Sequence, residues 1–332
     1  MIVELLNIEL APNLTKLKTF ITTQGLFFDA DIDTCLVIKD NDNIIACACK
    51  KDNVFKMIAV NCHFQSNNYV ATLLSELINI GYEQGYKHFF IYTKLLYQHV
   101  FENLGFKLIV SYQEIGFFEK GSVGLAEYYL QYKNDIEDKG CIVMNANPFT
   151  KGHYYLIEQA LTKVSFLYVF VLEEDKSYFD FKTRLALVKA GTKHLRNVEV
   201  LSSGPYVISQ ATFPTYFLKN LNDASEYYTH IDGLTFKRIM AVLAVKYRFV
   251  GSEPLDKLTA YYNQTLKSIL QEQLVIIPRL CNAEGAISAS KVRTLLKDHN
   301  YQALKDYVPT AEYQKLIDYQ IEKAKQNEMG GE

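Results

Sequence analysis

The stretch Cys141–Ile157, CIVMNANPFTKGHYYLI, predicts a buried strand, a turn broken by proline and the first turns of a helix. Its first four residues are all apolar, which is typical of a strand inside a parallel sheet. Asn147-Pro148 ends the strand, because the residue before a proline avoids the helical region and proline has no N–H to donate. Thr150–His153 therefore lies where the carboxyl end of a strand meets a helix N-terminus.

Residues 150–153, Thr-Lys-Gly-His, have the composition of an anion-binding loop. Free backbone N–H groups and the positive end of the helix dipole gather at such a helix start. Gly152 lets a phosphate approach the backbone, Lys151 brings positive charge, and His153 can donate to a phosphoryl oxygen. The alternative is that His153 is an ordinary histidine at the start of a helix. The candidate residues in and before this loop are Asn145, Asn147, Thr150, Lys151, Gly152 and His153.

A second candidate loop comes much later, at Ile287–Arg293, where the sequence reads ISASKVR. It follows a polar loop and precedes an apolar helix pattern, so Ser288 and Ser290 are expected to be cap residues. In one interpretation the serines only cap the helix and Arg293 lies on its solvated face. In the other, the hydroxyls donate to a triphosphate and Arg293 neutralises its β and γ oxygens.

The two loops together resemble the signature of the nucleotidyltransferase superfamily. Residues 150–153 are similar to its (H/T)-x-G-H motif, and Ile287–Arg293 is similar to its I-S-x-[ST]-x-x-[RK] segment. Gly251 and Glu253 resemble its G-x-[DE] segment, which the resemblance assigns to the ribose and adenine wall; a tight strand–helix turn is the alternative. Arg184 occupies the helix on which that superfamily has a nucleotide-facing arginine, and a purely structural role is equally open.

The composition is that of a globular protein with a substantial core. The chain has 332 residues, 49% of them hydrophobic and 22% charged, so two domains are expected. A formal net charge of -2 gives no reason to expect a partner such as a nucleic acid or a membrane surface. The N-terminus lacks the basic region of a signal peptide, and the longest apolar run, Val164–Leu172, is too short to span a bilayer.

The six cysteines stand at 35, 47, 49, 62, 141 and 281, with no C-x-x-C pair and no cluster with histidine. This spacing predicts reduced, mostly buried thiols in a cytoplasmic protein, with no structural zinc, and no residue is assigned as a direct metal ligand. The carboxylates of Glu173–Asp175 are interpreted as a solvated turn, or as groups that help to hold Mg²⁺ through water.

The first half of the chain resembles the GNAT N-acetyltransferase fold, an α+β fold. Its pattern is a helix, an antiparallel meander, a helix, a strand, a helix and a strand. In that family a [QR]-x-x-G-x-[GA] loop holds the pyrophosphate of coenzyme A. Gln65 is kept here, but Asn68 and Val70 replace both small residues, so ordinary acetyl-CoA binding is not expected.

A polar stretch, Lys133–Gly140, separates two halves of different texture, and we expect domains at residues 1–135 and 136–332. The second half alternates strands and helices, which predicts an α/β domain with a doubly wound parallel sheet of the nucleotidyltransferase (HUP/Rossmann-like) type. Ligands bind such sheets beyond the carboxyl ends of the strands, where the first candidate loop lies. Within this pattern we predict a helix at Phe213–Leu221 and a strand at Tyr227–Ile231.

The combination of the two halves resembles one family closely, [citrate (pro-3S)-lyase] ligase. The resemblance covers essentially the whole chain and is most specific at Cys141–Ala160, Ser209–Phe217, Arg248–Pro254 and Ile287–Arg293. It implies that ATP, acetate and the thiol of the citrate lyase acyl carrier protein give AMP, pyrophosphate and the acetyl thioester. The thiol belongs to a dephospho-CoA-derived prosthetic group on that carrier protein.

The same resemblance implies roles for individual residues. His153 and Thr150 would donate to the α-phosphoryl region, while Lys151 and Arg293 hold the β and γ phosphates, which Mg²⁺ bridges. Ser288 and Ser290 would assist them, and the GNAT-like half would carry the prosthetic arm. The aromatic run Ser209–Phe217 lines the acceptor site or is plain packing. Two other functions stay open: an adenylyltransferase for a phosphopantetheine-like acceptor, and a noncatalytic nucleotide-sensing module of the lyase.

Overall fold

The computed structural model of the protein describes residues 2–65, 67–173, 177–207, 213–218, 223–253 and 257–329. Within these ranges no helix is both long enough and apolar enough to cross a membrane. The chain forms two compact units. One comprises Met1–Gln131 together with Gln210–Thr235, and the other comprises Tyr132–Ser209 together with Phe236–Glu332.

The segment 210–235 is the main difference from the domains expected from the sequence, which assigned it to the second domain. It belongs to the first unit because its backbone and side chains are bonded there. The backbone N–H of Phe27 donates to the carbonyl oxygen of Tyr216 (2.9 Å), and the Tyr216 hydroxyl donates to the carbonyl oxygen of Tyr92 (2.6 Å).

Seven strands form the sheet of the first unit: β1 (Val3–Leu5), β2 (Thr34–Asp40), β3 (Asn43–Lys51), β4 (Val54–Val60), β5 (His88–Lys94), β6 (Lys107–Tyr112) and β7 (Ile115–Gly121). Their order is β1-β2-β3-β4-β5-β7-β6, and β4 and β5 run parallel whereas the other neighbours are antiparallel. Val54 of β4 pairs with Phe90 of β5, and Phe55 pairs with Ile91. Beyond these two pairs, toward their carboxyl ends, the two strands separate.

Four helices accompany this sheet: α1 (Ala11–Thr23), α2 (Tyr69–Glu83), α3 (Gln98–Asn103) and α4 (Leu125–Leu130). The buried residues of α2 include Leu73, Leu74, Leu77 and Ile78, a spacing of three and four that gives one apolar face. This face packs in the same core as Phe55 of β4. The predicted helix, meander and helix of the α+β half are therefore confirmed.

The second unit contains a parallel sheet of five strands: β8 (Lys139–Met144), β9 (Phe166–Val171), β10 (Val198–Ser202), β11 (Tyr247–Gly251) and β12 (Leu274–Ile277). The order is β10-β9-β8-β11-β12 with every pair parallel, which confirms the predicted α/β class. Connections from β8 lead to one side through β9 and β10, whereas β11 lies on its other side. The strand order thus reverses between β8 and β11, and ligands of such sheets bind at that crevice.

The remaining elements are α5 (Lys151–Leu161), α6 (Phe181–Thr192), α7 (Ala224–Leu243), α8 (Lys257–Leu270), β13 (Cys281–Asn282), β14 (Gly285–Ala286), α9 (Ala289–Lys297), α10 (Tyr301–Leu304) and α11 (Thr310–Met329). The strand predicted at Tyr227–Ile231 is wrong, because these residues belong to α7. Tyr227 and Ile231 are buried four residues apart, and the same spacing continues to Thr235 and Ile239, which is helical periodicity. The helix predicted at Phe213–Leu221 is absent from residues 213–218; the rest of that range lies outside the described residues.

The core of the second unit encloses a carboxyl group. Glu312, in the first turn of α11, is completely buried, and neither of its carboxyl oxygens has a hydrogen-bond partner among the described residues. A Cβ added at Gly191 of α6 would lie 2.9 Å from Oε1 of Glu312 and 2.5 Å from the ring of Phe149, so these groups are closely packed. Burial raises the pKa of Glu312 to about 7, although the positive charge of Lys315 opposes the increase.

We expect Glu312→Gln to raise the melting temperature by a few degrees at about pH 8 and by much less at about pH 5. With a pKa near 7 in the folded protein and an ordinary value of 4.5, the carboxyl group ionises less readily in the folded state. Its destabilising effect is absent below the ordinary value and grows as pH rises through 7, to on the order of 3 kcal/mol.

The matched control is Glu322→Gln, which removes an exposed carboxylate from the same helix. Melting curves of both variants and the unchanged protein across this pH range provide the measurement. An equal effect of Glu312→Gln at both pH values would show that ionisation of Glu312 does not limit stability.

Candidate functional site

The first candidate loop joins β8 to α5 and is closed by a side-chain cap. Thr150 has extended backbone angles, and its hydroxyl oxygen accepts from the backbone N–H of His153 (3.3 Å). In return, the backbone N–H of Thr150 donates to Nδ1 of His153 (3.1 Å), so the two residues form a reciprocal capping box. Thr150 itself is buried. The prediction of a helix N-terminus at this loop is confirmed.

The hydrogen bonds of His153 fix which ring nitrogen carries the proton. A backbone N–H can only donate, so Nδ1 must accept and the proton of the neutral ring lies on Nε2. Burial, and secondarily the positive charge of Arg279, lowers the pKa of His153 to about 4. The ring also stacks on Phe149, with centroids 5.8 Å apart. At neutral pH His153 is therefore an uncharged hydrogen-bond donor through Nε2.

The structure brings the second candidate loop directly against the first. Ser288 caps α9 by accepting from the backbone N–H of Lys291 (3.2 Å). Nη1 of Arg293 donates to the carbonyl oxygen of Asn147 (2.6 Å), and Nη2 donates to the hydroxyl of Ser290 (2.9 Å). The N-terminus of a second helix thus lies beside the turn that leads into α5.

Gly152 lies close to the second loop. A Cβ at this position would lie 3.2 Å from the carbonyl oxygen of Ile287, which is tighter than ordinary van der Waals contact. Any larger side chain would push the second loop away from the first. Lys151 is bonded to a third segment, since its backbone N–H donates to Tyr307 (2.8 Å) and its Nζ to the carbonyl oxygen of Lys305 (2.7 Å).

Asn145, Asn147 and Arg184 form a network at the end of β8. Arg184 is completely buried, and its Nη1 donates to the backbone and side-chain oxygens of Asn145 (2.8 and 2.7 Å) and to the carbonyl oxygen of Leu172 (2.9 Å). The side-chain oxygen of Asn147 accepts from the backbone N–H of Phe179 (3.1 Å). In this arrangement Arg184 supports the loops after β8 and β9 and does not expose its guanidinium.

Gly251 and Glu253 lie at the carboxyl end of β11, next to β8 in the sheet. The carbonyl oxygen of Gly251 accepts from the amide of Asn263 (3.0 Å), and the Glu253 carboxylate forms an ion pair with Nη2 of Arg279. The sequence alone did not identify Arg279 as a candidate site residue. Its position two residues beyond β12, at the ligand-binding edge of a parallel sheet, was the signal that could have identified it.

The carboxylates near this edge are described only in part. The carboxylate of Glu173 accepts from the hydroxyl of Ser202 (2.7 Å), whereas Glu174 and Asp175 lie outside the described residues. No group of three or more His, Cys, Asp or Glu side chains in the described part of the chain is arranged to hold a metal ion. Two helix N-termini, a neutral histidine donor and nearby cations make this edge suitable for a polyanion such as a nucleotide triphosphate.

The described part of the aromatic run Ser209–Phe217 belongs to the first unit and not to the site around His153. Tyr216 and Phe217 line a cavity of about 620 Å³ within the first unit, which lies where β4 and β5 separate. The other lining residues are mostly apolar and include Ile58 and Ile91 from these strands. Gln65, Asn67 and Val70 of the loop compared above with a coenzyme A loop also line it. Residues 209–212 lie outside the described residues.

Comparison with known proteins finds a family model and several relatives that match this chain. A family model described as "Citrate lyase ligase C-terminal domain" matches residues 139–316. The [citrate [pro-3S]-lyase] ligase of Escherichia coli K12 is 35% identical over 309 residues, which cover 89% of this chain and 88% of that protein. A phosphopantetheine adenylyltransferase of Streptococcus sanguinis is 41% identical over 66 residues, or 19% of this chain and 40% of that protein.

Among solved structures, an N-acetyltransferase from Lactobacillus plantarum matches 36% of this chain and 99% of its own, with 16% identity and a TM-score of 0.31. The identity to the Escherichia coli ligase extends over nearly the whole of both chains. The chain therefore belongs to the [citrate (pro-3S)-lyase] ligase family and is an enzyme, a ligase that acts on citrate lyase.

Proposed function

We propose that this ligase uses ATP and acetate to acetylate the prosthetic-group thiol of the citrate lyase acyl carrier protein, through acetyl-adenylate. The observation that carries the proposal is the contact between the two nucleotidyltransferase-like loops at Gly152 and Ile287, beside the neutral donor His153. In the first step a carboxylate oxygen of acetate bonds to the α-phosphorus of ATP while the bond to the bridging oxygen breaks and pyrophosphate leaves. In the second step the carrier thiol loses its proton, its sulfur bonds to the acyl carbon, and AMP leaves.

Positioning and charge stabilisation suffice for the first step, because no protein nucleophile has to attack phosphorus. Nε2 of His153 would donate to an α-phosphoryl oxygen. The backbone N–H groups of Gly152 at the start of α5 and of Ser290 at the start of α9 would bind phosphate oxygens. Ser288, Ser290 and Arg293 would contact the leaving pyrophosphate. Asn145, Asn147, Lys151, Gly251 and Glu253 would border the nucleotide. The buried Arg184 would support this site indirectly, by holding the loops after β8 and β9.

Mg²⁺ is expected with ATP, where it would neutralise phosphate charge. Mg²⁺ in such sites is commonly held mainly by phosphate oxygens and water, with few protein ligands. Glu173 is the described carboxylate that could act through water. All six cysteines are free thiols, which supports a location in the cytoplasm, where thiols stay reduced.

The cavity of the first unit is the proposed site of the carrier's prosthetic arm. Its volume falls within the roughly 300–1,000 Å³ typical of small-molecule sites, and its apolar walls suit the uncharged chain between a pantetheine phosphate and its thiol. Val70 lines one part of it and narrows the approach for a phosphate. Tyr216 and Phe217 supply aromatic surface from the segment 210–235.

One other function has a specific observation in its favour. The local match to a phosphopantetheine adenylyltransferase suggests transfer of AMP to a phosphate acceptor. ATP–pyrophosphate exchange separates the two proposals, because a carboxylate-adenylating ligase requires acetate for exchange. Exchange that depends on phosphopantetheine and not on acetate would favour the adenylyltransferase. Exchange that depends on neither compound would contradict both proposals.

We expect His153→Ala to keep the fold and to lower acetate-dependent exchange by about 10²–10³-fold, the usual effect of removing one preorganised donor to developing charge. The control is His194→Ala, an exposed histidine beyond the end of α6, which should exchange normally. Thermal melting of both variants separates lost chemistry from lost folding. A folded His153→Ala protein with near-normal exchange would exclude this role.

Arg293→Ala and Ser288→Ala should raise the KM for ATP, by about tenfold for the arginine, and change kcat less at saturation. Their proposed contacts are with the pyrophosphate portion, and part of that binding exists before the transition state. Lys297→Ala, an exposed cation on the same helix, is the matched control. If KM for ATP stays constant in both variants, the second loop acts only as a helix cap.

Thr93→Trp should block acetylation of the carrier protein and spare acetate-dependent exchange. Thr93 lies on β5 and lines the cavity, so an indole there would occupy the volume proposed for the prosthetic arm. Point variants of the full chain are preferred to truncation because residues 210–235 belong to the same unit. Thr15→Trp, on the exposed face of α1, is the control. Carrier acetylation at the normal rate in Thr93→Trp would place the arm elsewhere.

A further inference from the structure

Arg279 is fixed at the ligand-binding edge of the second unit by bonds between two loops. Its backbone N–H donates to the hydroxyl of Ser252 (3.2 Å), and the backbone N–H of Ser252 donates to the carbonyl oxygen of Ile277 (2.8 Å). The loops that follow β11 and β12 are therefore tied together. Because β11 neighbours β8, this pair of loops borders the crevice where the strand order reverses.

Among the described residues, the side chain of Arg279 is held by one carboxylate, that of Glu253. Glu253, whose side chain is 5% exposed, pairs with Nη2, while the side chain of Arg279 is 33% exposed. Within the described part of the chain this is the one hydrogen bond that the guanidinium makes. A guanidinium has five N–H donors, so Nε and Nη1 of Arg279 can bind an anion while Glu253 keeps the group in place.

Three other cations around the crevice are bonded differently. Arg184 is buried against backbone carbonyl oxygens, and Lys151 donates to the carbonyl oxygen of Lys305. Arg293 donates through both terminal nitrogens, to Asn147 and Ser290. Arg279 thus differs from these three in having a carboxylate for its partner and donors left over.

Arg279 also lies on the side of the crevice where the reaction is proposed. Its positive charge is one of the two causes that keep His153 uncharged, so the guanidinium is electrostatically close to that ring. A neutral His153 donates a hydrogen bond but brings no charge. Attack of a carboxylate on an α-phosphate brings two anions together, and a cation is needed where they meet.

We propose that Arg279, positioned by Glu253, binds the carboxylate of the acyl substrate and holds it against the α-phosphate of ATP. The proposal rests on the carboxylate-adenylating function above and names the residue that selects an anionic acyl substrate. Arg279 contacts the substrate, whereas Glu253 is a positioning residue that acts through Arg279.

The test is acetate-dependent ATP–pyrophosphate exchange by the full-length protein, measured against acetate and against ATP. Arg279→Ala should raise the KM for acetate by about 10–100-fold, the range expected for a lost hydrogen bond between charged groups, and should change the KM for ATP by less than about threefold. Arg279→Lys should give a KM for acetate between those of the unchanged protein and Arg279→Ala, because an ammonium keeps the positive charge but lacks the planar arrangement of N–H donors. The control is Arg196→Ala, an exposed arginine that precedes β10 at the opposite edge of the sheet.

Two further measurements separate substrate binding from a structural role. Added guanidinium ion at millimolar concentration should restore part of the acetate affinity of Arg279→Ala, which a merely structural arginine would not show. Glu253→Gln should raise the KM for acetate less than Arg279→Ala does, since the guanidinium remains but is held less firmly. If Arg279→Ala fails to fold, the KM for acetate of Arg279→Lys provides the test.

An unchanged KM for acetate in the folded Arg279 variants, or a raised KM for ATP alone, would overturn the proposal. The second result would mean that Arg279 binds the nucleotide. Failure of the underlying function is distinguishable, because the unchanged protein would then show no acetate-dependent exchange at all.

Discussion

The hydrogen bond from Arg293 to the carbonyl oxygen of Asn147 joins two loops that are 146 residues apart in the chain. Each loop ends at a helix N-terminus, so closing them together brings two positive dipole ends to the same place. That arrangement is unfavourable without direct bonds or an anion. The protein supplies the bond through Arg293 and the space through Gly152, whose missing Cβ leaves room for Ile287. The site for a polyanion follows from this closure.

The structural and functional interpretations of the first loop turn out to concern the same atoms. In the usual capping box a glutamate or glutamine at the third helical position reaches back to the cap residue. Here His153 does so through Nδ1, which leaves Nε2 with a proton directed elsewhere. A glutamate could close the loop but could not donate. Histidine satisfies both requirements as long as it stays neutral, and burial ensures that it does.

The sequence predicted the elements whose signal is local and missed what depends on neighbouring strands. Strand β8 is a short apolar run, and the apolar residues Cys141–Met144 predict its position within two residues. Tyr227–Ile231 was misassigned because aromatic and β-branched residues favour strands locally, whereas the four-residue spacing of buried positions is visible only over the length of α7. Arg279 matters because β12 follows β11 and β8 in the sheet, an order that no short pattern contains.

The membership of residues 210–235 in the first unit has a consequence for how the chain is made. Strands β8, β9 and β10 all precede this segment in the chain, so they leave the ribosome before the first unit has all its parts. Until then the carbonyl oxygen of Tyr92 lacks the hydrogen bond from the Tyr216 hydroxyl, and the cavity lacks the aromatic wall formed by Tyr216 and Phe217. Domains commonly fold in order from the N-terminus during synthesis. In this protein the N-terminal unit can be completed only after residues 210–235, which follow β8, β9 and β10 in the chain, have been synthesised.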